Sequence, residues 1–158
     1  NMDSTLQDEY DFTGNPDGLE GTGNPHPGGG GMSSLRDIGR LLLLHLREGM
    51  CGDNQVLSRD ALLAMRENLT EGLTNRWYAG RSYGMGWWGR EELPAEVRYA
   101  SGGYGAIAWI DIQRNIAGYV AVDDYSKDVP YDYLDLVLYE IMPMFAEIVD
   151  EARLELEQ

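Results

Sequence analysis

Between residues 97 and 122 the chain carries three runs rich in β-branched and aromatic side chains, at Val97–Ser101, 106–112 and 116–122. The links between them are very short. Parallel strands need a crossover of a dozen or more residues, so these runs can only be antiparallel neighbours. The polar link from Ile112 through Asn115 reads as a hairpin turn. Helical patterns lie on either side of the meander. The order of helices, then an antiparallel meander, then a covering helix predicts the α+β class, an antiparallel sheet flanked by helices. There is no internal repeat.

The first helical pattern is "MSSLRDIGRLLLLHLREG". Ser33 or Ser34 can cap it, and Ser34 with Asp37 fits the S-x-x-[DE] pattern. Leu35, Ile38, Leu42 and Leu46 share one face. Leu41, Leu43 and Leu44 widen the apolar surface enough to predict a helix buried on most sides. Gly49 is its expected stop. After a short extended piece, Ser58 caps a second helix whose apolar positions are Leu62, Leu63 and Met65. In "YGMGWWG", Tyr83, Met85 and Trp87 alternate with glycines, which predicts a strand that something approaches closely. Residues 131–158 predict a long terminal helix, with Leu134, Leu138, Ile141, Phe145 and Ile148 on one face. Pro143 removes one of its donors and predicts a kink.

Residues 1–31 are dense in Gly, Pro, Asn and Asp, which predicts an irregular N-terminal segment ahead of a domain at 32–158. Asn1 ahead of Met2 reads as a residue left by an expression tag. The 158 residues fit one domain, and an apolar share of 43% supports a core without metal or disulfides.

Charge narrows the partners. Twenty-seven acidic against 12 basic residues give a net −15, a field that repels phosphate backbones and argues against nucleic acid. No run approaches the ~18 apolar residues of a membrane span, and the first ten residues lack the regions of a secretory signal. The compartment stays unassigned. Cys51 is alone, so no intrachain disulfide forms, and no base motif adjoins it. His26 and His45 have no second ligand at metal spacing. No metal or cofactor is expected.

Four stretches invite chemistry, and each also has a plainer reading. "HPGGGGMSS" has the outline of an anion-binding helix start but lacks a phosphate-loop lysine; the alternative is a closely packed loop. His45 lies in the leucine-rich helix, where a satisfied core histidine is the simpler reading. Trp77, Tyr78, Tyr83, Trp87 and Trp88 offer a sugar-stacking platform or a core. In "RYASGGYGAIAWID", Ser101-Gly-Gly-Tyr-Gly105 is either a tight turn or a place where a substrate lies against the backbone. There, an amide can donate to a developing oxyanion.

Several of these stretches, in this order, resemble the C-terminal part of the serine β-lactamase-like hydrolases, the superfamily of class C β-lactamases, penicillin-binding carboxypeptidases and esterases. "NPHPGGGGMSSLRDIGRLLLLHLREG" resembles the family's Gly-rich loop and following helix. "NQVLSRDALLAMREN" resembles its VLS turn and short helix, "YGMGWW" its G-x-G-W strand, and "ASGGYGAIAWIDIQRNIAGYVAVDD" its third active-site motif and the hairpin beyond. The likeness covers residues 24 to 124.

The resemblance implies attack of a serine on a carbonyl, an acyl-enzyme, and release of the acid by water. The family's nucleophile lies in S-x-x-K, with a Tyr-x-Asn motif nearby. Neither occurs here. Lys127 is the only lysine, Asp124 stands three places before it, and no tyrosine is followed two places later by asparagine. The chain therefore holds no catalytic residue of that kind. The third motif, normally Lys or His, then Ser or Thr, then Gly, matches Ala100, Ser101 and Gly102. On that match Ser101, Gly102, Gly103 and Tyr104 line the cleft, and the Gly103 amide is half of the oxyanion hole. Ala100 replaces the usual cation, which argues against a substrate carboxylate and for neutral esters or amides. The expectation is a C-terminal fragment of such an enzyme, inactive alone, acting on a small acyl substrate or peptide once complete. As a fragment it would carry an exposed sheet edge that a second copy can cover. The alternative is a non-catalytic binding module that kept half of the fold.

Overall fold

A computed structural model describes residues 33–73, 79–102, 105–122 and 133–157. Apart from Ser33 and Ser34, all of these belong to one compact unit, Leu35–Gln158.

Helix α1, Leu35–Leu46, ends in a Schellman arrangement. The Gly49 amide donates to the Leu44 carbonyl at 2.8 Å, with Glu48 at φ 52° and Gly49 at φ 88°. Glycine is required at 49 for a second reason. A Cβ there would lie 1.9 Å from the Leu57 carbonyl oxygen, because the chain returns against this turn through the short hairpin β1 (Met50–Cys51) and β2 (Asn54–Gln55). Helix α2, Arg59–Arg66, is capped as expected, with the Ser58 side chain accepting from the Ala61 amide at 3.1 Å.

The main sheet has five antiparallel strands in sequence order: β3 (Arg81–Tyr83), β4 (Trp88–Arg90), β5 (Val97–Ser101), β6 (Ile107–Asp111) and β7 (Ile116–Val120). Tyr99 faces Trp109 across β5 and β6, and Trp109 faces Gly118 across β6 and β7. The expected meander is present, with its last two strands shorter than the sequence runs. Asp111 closes the β6–β7 hairpin by accepting from the Arg114 amide at 3.0 Å, and Asn115 takes the left-handed conformation at φ 53°.

Strand alternation divides the core into two layers. Val97, Tyr99, Ile107 and Trp109 pack against Tyr133, Val137, Leu138 and Met142 of the terminal helix. On the other face Ile110 packs with Leu42 of α1 and with Trp87. The sheet is thus sandwiched between α1 and the terminal helix, an α+β arrangement.

Three local expectations need correction. "YGMGWW" is a hairpin rather than one strand: β3 turns into β4 through residues 84–87, closed by the Gly84 amide donating to the Trp87 carbonyl at 2.8 Å. What approaches Gly84 is the end of α2, since a Cβ would lie 2.3 Å from the Met65 carbonyl oxygen. Helix α1 is not buried on most sides. Leu35, Leu41 and Leu43 are exposed, because only the Leu42 and His45 face meets the sheet. Around Pro143 the terminal helix widens. It runs as α3 (Tyr133–Leu136), a π segment (Val137–Ile141) and α4 (Met142–Leu156). The Met142 amide donates to the Val137 carbonyl five residues back, so the wider turn sits directly before a residue that cannot donate.

Candidate functional site

The Ser-Gly-Gly-Tyr-Gly turn joins β5 to β6. Ser101 is the last residue of β5, pairs with Ile107, and is exposed. The Gly102 amide donates to the Ala106 carbonyl at 2.7 Å, and the Gly105 amide donates to the Gly102 carbonyl at 3.3 Å. Gly105, at φ 79°, supplies the left-handed residue the turn needs. The amide of Gly102 is therefore engaged within the hairpin and cannot serve an oxyanion. Gly103 and Tyr104, the other two candidates, lie outside the described residues.

Ala100 stands where a cation was expected from the resemblance. It packs in the apolar layer with Leu42, Trp87 and Ile110. No side chain there presents positive charge to a substrate.

The remaining candidates separate clearly. Trp87 is buried, and His45 meets it edge-on with ring centroids 4.9 Å apart. Trp88 packs against the terminal-helix layer and lies 4.4 Å from the Tyr83 ring. Both tryptophans thus belong to the core, while Trp77 and Tyr78 fall outside the described residues. His45 is buried as expected, yet its Nδ1 has no hydrogen-bond partner among the described residues. Burial, and then the positive charge of Arg66, hold it below the usual histidine range. His26 and the glycines at 28–31 lie outside the described residues. Cys51 is exposed and unpaired in any disulfide. Among the described residues no three His, Cys, Asp or Glu side chains could hold a metal ion, and no helix is long and apolar enough to cross a membrane.

Two features were not visible in the sequence. Arg90 of β4 donates to Asp135 Oδ1 at 2.7 Å, to Tyr139 Oη at 3.1 Å and to Tyr99 Oη at 3.2 Å, tying the sheet to the terminal helix. Its partners lie up to 49 residues away, so no local pattern marks it. The second is the asymmetry of the sheet edges. The outer side of β3 is covered, with the Leu69 amide donating to the Tyr83 carbonyl and the Tyr83 amide to Thr70 Oγ1. Among the described residues β7 pairs only with β6. A groove of about 480 Å³ runs beside it, walled by Leu42, Leu43, Phe145 and Val149.

Against this geometry, a family model named Beta-lactamase matches residues 3–138. The chain belongs to the Beta-lactamase family. That match begins upstream of residue 24, where the likeness to the family's motifs starts, and runs into the terminal helix. No curated protein matches. Among solved structures, a protein from Bacteroides dorei DSM 17855 provisionally assigned as a β-lactamase is 24% identical, with a TM-score of 0.48 over 65% of this chain and 35% of its own. The chain thus spans about a third of that protein's length. In this chain the Ser101 turn lies at the end of β5 in the five-stranded antiparallel sheet.

Proposed function

We propose that this chain is the C-terminal part of a β-lactamase-like serine hydrolase, contributing a cleft wall at residues 101–104 to an acyl-transfer site whose nucleophile lies elsewhere. One observation carries the reading: a family member with a single lysine, Lys127, and Asp124 three residues before it holds no S-x-x-K. Without that pair no serine is activated for attack. In the assembled site the Gly103 amide donates to the oxyanion, and Ser101 and Tyr104 border the acyl group. The apolar Ala100 position favours neutral esters or amides over substrates with a carboxylate at that end. Residues 1–31 lead into the domain at 32–158.

The reading extends to the sheet edge. β7 carries no charged residue and no proline along Ile116–Val120, so nothing in its sequence guards it against further pairing. In the complete enzyme further strands pair there. In the 158-residue chain alone a second copy does, which sedimentation would register as a dimer.

The test is the reading frame that encodes the chain. If it continues upstream of Met2 into a segment containing S-x-x-K, and the joined protein hydrolyses an activated ester, the reading stands. A stop codon directly upstream, with stable monomeric protein that binds but does not turn over ligands, replaces it with a binding module.

A further inference from the structure

The two ends of β5 differ in chemistry. Ser101 lies beside the glycine turn. Arg98 lies three residues back, roughly 10 Å along the strand. On that side an open pocket of about 530 Å³ forms between α2, the approach to β5 and the end of β6. Arg59, Arg66 and Arg98 supply its positive charge, and Leu63, Ala95 and Ile112 its apolar wall.

The arginines are not equivalent. Arg59 is paired, its Nε 2.9 Å from Glu48 Oε1. Arg66 donates from Nε to the Leu62 carbonyl at 3.1 Å. Arg98 donates from Nε to the Arg66 carbonyl at 3.4 Å, and from Nη1 to the Val97 carbonyl at 2.9 Å and to the Ala95 carbonyl. Both guanidiniums are half-buried, and among the described residues neither forms an ion pair. Two neighbouring half-buried cations whose hydrogen-bond partners are carbonyls keep positive charge that nearby Glu48 and Glu96 offset only in part. The electrostatics agree. Arg66 is held below the usual arginine range by desolvation and then by Arg98, with Glu48 opposing in part. Arg98 is lowered by desolvation, with Glu96 opposing.

We propose that this pocket binds a small organic carboxylate, its oxygens bridging Arg66 and Arg98 and its apolar part resting on Leu63, Ala95 and Ile112. Guanidinium forks match a carboxylate in plane and spacing. Glu48, which pairs with Arg59, and Glu67 and Glu96 also line the pocket and, with the net −15 of the chain, oppose a second negative charge on the ligand. A monoanion with an apolar tail is therefore selected over a phosphate dianion. The site is independent of the hydrolase reading, since it lies at the opposite end of β5 from Ser101.

The test is titration of the full 158-residue chain with acetate, hexanoate and inorganic phosphate at constant ionic strength, followed by calorimetry and by the arginine Nε resonances. Hexanoate is expected to bind saturably and several-fold more tightly than acetate, since each buried methylene strengthens binding by up to about fourfold. Arg66→Gln is expected to weaken it roughly tenfold or more, as loss of a charge-assisted bond does, while Arg40→Gln on exposed α1 leaves it unchanged. Phosphate binding more tightly than hexanoate, absence of saturation, or unaltered affinity in Arg66→Gln overturns the proposal. If Arg66→Gln fails to fold, the wild-type resonances decide: hexanoate must shift Arg66 and Arg98 Nε, and no shift overturns it.

Discussion

Gly118 sits in the middle of β7, directly opposite Trp109 of β6. Trp109 is 2% exposed, and its six-membered ring occupies the space a side chain at 118 would need. A Cβ on residue 118 would fall 2.0 Å from Trp109 Cζ2 and 2.4 Å from Cη2. Gly118→Ala therefore sets two effects against each other. Loss of unfolded-state freedom favours alanine by about 0.4–1 kcal/mol. Forcing the indole out of a filled layer costs about 1–3 kcal/mol. The ring is rigid and enclosed by Val137, Leu138 and Met142, so the clash wins. The net cost is about 1.3 kcal/mol from the middle of both ranges, so the melting temperature is expected to fall by roughly 4 °C, and by at most roughly 8 °C, at about 3 °C per kcal/mol for a domain of this size. Trp109→Leu alone also destabilises, by leaving a void. Combined with Gly118→Ala the two changes offset each other, with a coupling of about 1 kcal/mol or more. The assay is thermal unfolding of the four proteins by circular dichroism. A single Gly118→Ala variant that melts at or above wild type, or strict additivity in the double variant, refutes the packing argument.

Other positions give separate checks. Gly49→Ala meets both a left-handed backbone and a carbonyl 1.9 Å from its Cβ, and is expected to cost more than Gly118→Ala in a urea titration, because backbone yields less than a side chain. Arg90→Met should cost about 2 kcal/mol by leaving Tyr99 Oη buried without its donor. Asp135→Asn should cost under about 1 kcal/mol, since Asp135 is half exposed and its ion pair is screened. His45 is held below its unfolded value of 6.5 by burial and by Arg66, so its neutral form favours the fold above that pH. The unfolded chain takes up the proton first as pH falls, and stability declines from about 6.5 downward. Comparing melting temperatures at several pH values, His45→Leu should remove that part of the decline.

Much of the architecture was legible because it depends on local rules. The short links between residues 97 and 122 left only antiparallel pairing, and Ser58 and Gly49 marked a helix start and stop by the chemistry of orphan backbone groups. The failures have physical reasons too. Glycine at every second position of "YGMGWW" imitates strand alternation, but Gly86 at φ 86° turns the chain and Gly84 is there for Met65. The leucines of α1 measure how much apolar surface the helix carries, not which neighbours the described chain supplies for it. Pro143 marked where the terminal helix would be disturbed, but not that the response would be a π turn. At the candidate site, the sequence pointed to the turn at Ser101 and to the apolar Ala100. It gave no sign of the engaged Gly102 amide, which depends on a hairpin bond to Ala106. Arg66 and Arg98 are 32 residues apart and meet only because α2 ends against β5.

The central claim is that these residues form the wall of an acyl-transfer site but hold no attacking group. Mixing the purified 158-residue chain with a p-nitrophenyl ester tests it most directly. The account predicts no stoichiometric burst of nitrophenolate and no covalent adduct by mass spectrometry. A burst of one equivalent, abolished in Ser101→Ala, would contradict it.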